Sequence, residues 1–198
     1  MARHPSALVH TNRSGVKYFL HRGTTKTGKP RYYVAREVGA GALATLPDGY
    51  EIVESINGVV SVARAGRSKV LVPAADVSIV RAEVARHRHL RHHTVEARGA
   101  EILVHQATNR LDDETIRTHA LMTWDDPERL AARLALVQGP PRYEPVMKFT
   151  MRDRGAYGAS RITYRERTEW LPFATGPLAW LAKRYIRKLG TDDFYELW

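Results

Sequence analysis

Four times along this chain, two short β-prone runs flank a glycine-bearing turn, and that pattern confines the fold to antiparallel sheet. The plainest case is Tyr50–Glu54 and Val59–Arg64, joined through Asn57-Gly58. Asn-Gly favours a hairpin because both residues tolerate positive φ. Val16–His21 and Arg31–Arg36 are aromatic-rich runs on either side of Gly23–Pro30, which has the glycine and proline chemistry of a long loop. Thr94–Arg98 and Glu101–His105 meet at Arg98-Gly99; Ile102 and Val104 alternate with Glu101, Leu103 and His105, which predicts one buried face. Met147–Asp153 and Arg161–Trp170 form the last pair around Gly155-Ala156-Tyr157-Gly158.

Helical spacing fills the gaps between hairpins. Pro73 and Asp76 open a helix to about Leu90, with Val77, Val80 and Val84 as its apolar stripe. Asp126-Pro127-Glu128 starts a second helix to about Val137, with proline at the first helical position and acids at the positive end of the dipole. Gly176-Pro177 starts a third to about Leu189, which Gly190 caps, and Thr191-Asp192-Asp193 begins a short last one. Several antiparallel hairpins with three to four helices, and no βαβ alternation, predict an α+β fold with mostly antiparallel sheet. Residues 1–15 read as a flexible tail and residues 107–125 as an acidic loop. Gly139-Pro140-Pro141 is the strongest breaker. It separates a hairpin-rich region over 16–138 from a C-terminal hairpin with helices over 142–198, although the two could be one domain.

Composition excludes several function classes. The chain has no cysteine, so disulfide frameworks and thiolate metal sites are out. No run of about 18 apolar residues is present and no apolar segment follows Met1-Ala2-Arg3-His4-Pro5-Ser6, so a cytoplasmic location without membrane contact is expected. No phosphate loop, nucleophile elbow or dinucleotide fingerprint occurs, and neither a cofactor nor catalysis is expected.

The formal charge is +10, and its distribution points to a partner. Residues 1–36 hold eight cations (Arg3, Arg13, Lys17, Arg22, Lys26, Lys29, Arg31 and Arg36) and no acid. From Arg142 to Lys188 eleven cations face four acids, whereas residues 112–128 carry six acids and one base, Arg117. Such segregation predicts a surface for a polyanion. Three constellations could form it. In the first hairpin, Lys26, Lys29 and Arg31 lie beside Tyr33, and exposed aromatics can stack on unpaired bases while cations neutralise phosphates. In the C-terminal hairpin, Arg161, Arg165 and Arg167 share one strand face by period two; Lys148 and Arg152 share a face of the neighbouring strand. If the register lets those faces coincide, about five cations cover one surface. In the third helix, Lys183 and Arg187, and Arg184 and Lys188, stack at spacings of four.

Nucleic acid, DNA or RNA, is therefore the expected partner of a non-enzymatic binding protein. An acidic protein partner is the alternative from another class, and a metal-dependent nuclease using Glu96, Glu101 or Glu166 is a third reading. The histidine cluster from His87 to His93 lacks the His-Glu-x-x-His spacing of a zinc site and reads as a frayed helix end.

Two stretches also carry a resemblance. Tyr18-Phe19-Leu20-His21 followed by Thr25-Lys26-Thr27-Gly28-Lys29-Pro30-Arg31-Tyr32-Tyr33, and the C-terminal Leu189-Gly190-Thr191-Asp192-Asp193-Phe194-Tyr195-Glu196-Leu197, resemble a family of uncharacterised bacterial cytosolic proteins. The resemblance spans most of the chain after residue 15 and implies a bacterial-type cytosolic protein; it implies no activity.

Overall fold

The strands that the turn signals predict are present, and burial decides how they pair. The computed structural model describes residues 7–66, 70–163 and 169–196. Among them are ten strands in three antiparallel sheets and five α-helices, an α+β fold that is mostly sheet. The chain divides into two units, Met1–Lys69 and Val70–Trp198. Division does not fall at Gly139-Pro140-Pro141, because the strands on either side of that breaker are hydrogen-bonded neighbours in one sheet.

The first unit contains β1 (Val9–Thr11), β2 (Lys17–Thr24) and β3 (Pro30–Ala35) in the order β1-β2-β3, and a hairpin of β4 (Tyr50–Glu54) and β5 (Val60–Arg64). The segment read as a tail thus supplies a strand. Leu8 explains it: its N–H donates to the Leu43 carbonyl at 2.7 Å, and its carbonyl accepts from Leu20 at 3.1 Å. Asn12 follows, buried at the β1–β2 turn. Its Oδ1 accepts from the Ser14 and Val16 amides, and its Nδ2 donates to the Gly58 carbonyl at 2.8 Å. One side chain thereby joins two turns and satisfies polar groups that water no longer reaches. Arg13 reinforces the junction through Glu54 at 2.8 Å. Hydrogen bonds from the Arg13 amide and guanidinium, together with its charge, hold the Glu54 carboxyl below its ordinary pKa.

The second unit begins with α1 (Ala74–Arg86), followed by β6 (His93–Arg98) and β7 (Glu101–Ala107). Next come α2 (Asp113–Thr123), α3 (Pro127–Gln138), β8 (Tyr143–Met151), β9 (Ala156–Thr163) and β10 (Glu169–Pro177). The chain continues through α4 (Leu178–Tyr185) and α5 (Asp192–Tyr195). The sheet order is β10-β9-β8-β7-β6, a plain meander. Val80 of α1 and Leu181 of α4 pack with Ile102, Val104, Met147, Phe149 and Ala159, all fully buried, on one face of that sheet. Tyr157 ties a helix to it: its hydroxyl donates to Asp76 in the first turn of α1 at 2.6 Å. Burial and that carboxylate push the phenol well above its ordinary pKa.

Three readings change here. The acidic stretch holds α2, capped by Asp112, which accepts from the Thr115 amide at 2.7 Å. Only Ile116 and Ala120 of α2 are buried, so no apolar stripe announces it. The final hairpin turns earlier than its glycines suggest. Gly158 lies inside β9 because the Arg152 guanidinium packs over it, where a Cβ would stand 3.1 Å from Nε. The run Arg161–Trp170, expected as one strand, belongs to two, since β9 ends at Thr163 and β10 begins at Glu169 and pairs antiparallel with it. β10 carries Pro172 at a register shift on the sheet edge, the position where a missing donor costs least.

Gly41 has φ +87°, and a Cβ there would stand 2.6 Å from the Arg22 carbonyl oxygen. Gly41→Ala combines strained backbone with a backbone clash, and a loss of about 2 kcal/mol or more in unfolding free energy is expected by denaturant titration. Tyr157→Phe should cost about 1–2 kcal/mol in the same measurement, since Asp76 would lose its buried donor.

Candidate nucleic-acid interface

Alternation along β2 and β3 sorts the first hairpin into two faces. Tyr32 turns one way, edge-on to Tyr50 at 4.7 Å. Tyr33 turns the other, stacked on His21 with ring centroids 5.3 Å apart and planes at 17°. His21 is 2% exposed and firmly held. The Gly39 amide donates to its Nε2 at 3.1 Å, so Nδ1 carries the proton and donates to the Phe19 carbonyl at 2.9 Å. Gly23 leaves room for the Tyr33 ring: a Cβ there would meet it at 3.2 Å. Tyr33 itself is 37% exposed, whereas Tyr18, Phe19 and Tyr32 are half-buried. The hairpin therefore presents one aromatic ring whose position is set from beneath.

Cations lie on that face and on the adjoining turn. Arg31 lies on the same face, two residues before Tyr33, opposite Gly23. Lys26 and Lys29 stand on a turn that is ordered by its own polar groups. Thr25 donates its amide to the Lys29 carbonyl at 2.8 Å and accepts the Lys29 amide on Oγ1 at 3.1 Å, while Gly28 takes φ +78°. Lys26, Lys29 and Arg31 are exposed and form no ion pair among the described residues. A groove of about 510 Å³ runs between β3 and β5. Arg31, Tyr33, Tyr50 and Arg64 line it, and no carboxylate does. Tyr50 and Arg64 escaped the sequence reading because their partner strand is separated from β3 by a long connection. The pairing of Tyr50 with Arg64 across the Asn57-Gly58 hairpin was the available signal.

Lys148 and Arg161 of the C-terminal hairpin do not share a surface. Register pairs Met147 with Arg161 and Lys148 with Ser160, so Lys148 and Arg161 point to opposite faces of the sheet. Arg161 faces the helices at 6% exposure, and its Nη2 donates to the Tyr195 carbonyl at 3.0 Å. Lys148 lies on the other face, 2.6 Å from Glu101 and 4.8 Å from the centroid of Trp170. Arg152 shares the Lys148 face but is folded over Gly158. Arg165 and Arg167 fall outside the described residues. Lys148 and Arg161 thus take separate structural roles on opposite faces of the sheet.

The third constellation is altered by a change of helix type. α4 ends at Tyr185, and Ile186–Lys188 continue as a 3-10 turn, so the spacing of four is not kept through Arg187 and Lys188. Lys183, Arg184 and Arg187 remain exposed, while Lys188 lies 3.6 Å from Asp193.

Glu96 and Glu101, two of the acids considered for a nuclease, are engaged elsewhere. Glu101 accepts from Lys148 and Thr150, Glu96 stands 3.7 Å from His105, and Glu166 falls outside the described residues. Among the described residues, no group of three His, Asp or Glu could hold a metal ion. His87 contacts Glu83 at 3.2 Å. Burial, followed by the charges of His89 and His92, lowers the His93 pKa to about 4. Burial lowers that of His105 as well. No described helix is long and apolar enough to cross a membrane. No protein-family model, curated protein or solved structure matches this chain.

The lowered pKa values of His93 and His105 contribute to the acid response of the second unit. His93 is neutral when folded, and between its ordinary value near 6.5 and about 4 the unfolded chain binds a proton that the folded chain does not. Stability should fall as pH drops through that window, by up to about 3 kcal/mol from His93. His93→Phe should flatten the slope of unfolding free energy against pH between pH 6.5 and 4.

Proposed function

We propose that this protein binds single-stranded nucleic acid, without catalysis, through the β2–β3 hairpin of its first unit. The observation that carries the reading is Tyr33, an exposed ring stacked on a hydrogen-bonded histidine and flanked by cations without ion pairs. A duplex hides its base faces in its own stack, whereas unpaired bases offer them to an aromatic platform. Stacking does not distinguish the bases, and no element here reads base edges, so binding tolerant of sequence is the natural consequence. Arg31, Lys26 and Lys29 supply the phosphate contacts, and the groove along β3 and β5 supplies a track for an extended strand.

Fluorescence anisotropy with labelled single-stranded oligonucleotides at several salt concentrations tests the proposal. Tyr33→Ala should weaken binding about tenfold, within the ~1–3 kcal/mol of one stacked base, and leave the salt dependence unchanged. Arg31→Ala should lower the slope of log K against log salt by about 0.7, the share of one single-strand phosphate. Wild-type binding that is absent at low salt, or equal affinity of Tyr33→Ala, would sink the assignment.

A further inference from the structure

α4 carries an aromatic side chain that its own packing does not need. Leu178, Leu181 and Ala182 face the sheet and are buried. A period of 3.6 places Trp180, Lys183 and Arg184 on the opposite side, and all three are exposed, Trp180 at 49%. The indole is nonetheless held in place. It lies over Gly176, where a Cβ would come within 3.5 Å of the ring. It also meets Tyr185 edge-on at 6.0 Å, and Tyr185 meets Phe173 edge-on at 4.9 Å. Arg184 rests over both Trp180 and Tyr185, 5.4 and 5.7 Å from their centroids. No acid occurs from Trp170 to Thr191, and neither Lys183 nor Arg187 forms an ion pair among the described residues.

The helix dipole accounts for cations near the C-terminal end of α4. It does not account for a tryptophan half in water above a glycine. We propose that the exposed face of α4 is a second single-strand contact, in which Trp180 stacks on an unpaired base while Lys183 and Arg187 meet the adjoining phosphates. Arg184 is exposed and long enough to turn aside for the base or to cover it from outside. This contact shares the ligand class of the hairpin reading and rests on that class, but it does not depend on Tyr33.

The test uses the full chain with labelled oligothymidylate and polyglutamate as probes, reading anisotropy and thermal melting together. Trp180→Ala should weaken binding of a long oligonucleotide about tenfold. Trp180→Phe should recover most of that loss, with little change in melting temperature. Should the Ala variant melt early, Lys183→Ala with Arg187→Ala serves instead, and should lower the salt slope by about 1.4. Wild-type affinity in both sets of variants overturns the second contact and leaves the hairpin reading standing. Loss in Trp180→Ala with none in Tyr33→Ala supports the second contact and removes the hairpin. An adhesive surface that takes polyglutamate and no oligonucleotide overturns both.

Discussion

Successive side chains of a strand point to opposite faces, and in this protein that constraint decides which cations reach solvent. The second unit must bury Ile102, Val104, Met147, Phe149 and Ala159 against α1 and α4. Their burial sets the register of β7, β8 and β9, and a slip of one residue would expose the whole set. Every other side chain then follows. Arg161 pairs with Met147 and is carried inward with it, and Lys148 is carried outward. An arginine taken out of water needs acceptors, and the Tyr195 carbonyl supplies one. The cation thereby becomes part of the anchorage of the C-terminal segment.

The same alternation acts with a different outcome in the first unit, where the core is small. Among its described residues Leu20, Val60, Gly58, Asn12 and His21 are buried, and two of those five have polar side chains. Polar burial there is organised by hydrogen bonds at both ends of each side chain, Asn12 bridging two turns and His21 bridging β2 to Gly39. Fully satisfied groups of this kind rigidify what they touch. Tyr33 inherits its orientation from His21, so a residue at the surface is positioned by one beneath it. That arrangement lowers the ordering cost of any ligand that stacks there.

Charge excess by itself was a poor guide to which residues are available. Glu101 neutralises Lys148, Asp193 approaches Lys188, and Arg161 is buried against the Tyr195 carbonyl. Lys26, Lys29 and Arg31 escape because their hairpin contains no acid, and Lys183 and Arg187 escape because the segment around α4 contains none. Local absence of carboxylates, more than total charge, separates cations that hold the fold from cations left exposed without an ion pair among the described residues.

Elements with a local cause were legible in the chain. Gly28 and Gly58 adopt the positive φ that their turns suggested, Pro127 starts α3, and Val77, Val80 and Val84 line the buried side of α1. α2 was not legible, since a helix that buries only Ile116 and Ala120 leaves no periodic stripe to read. Composition and turn chemistry determined an antiparallel α+β protein with acid-free basic segments, because those properties depend on residues a few positions apart. Only the tertiary structure decided that Lys148 and Arg161 part company, that Tyr33 rests on His21, and that Tyr50 and Arg64 complete the groove. Those outcomes depend on strand register and on contacts between distant segments, which the collective burial of the core imposes.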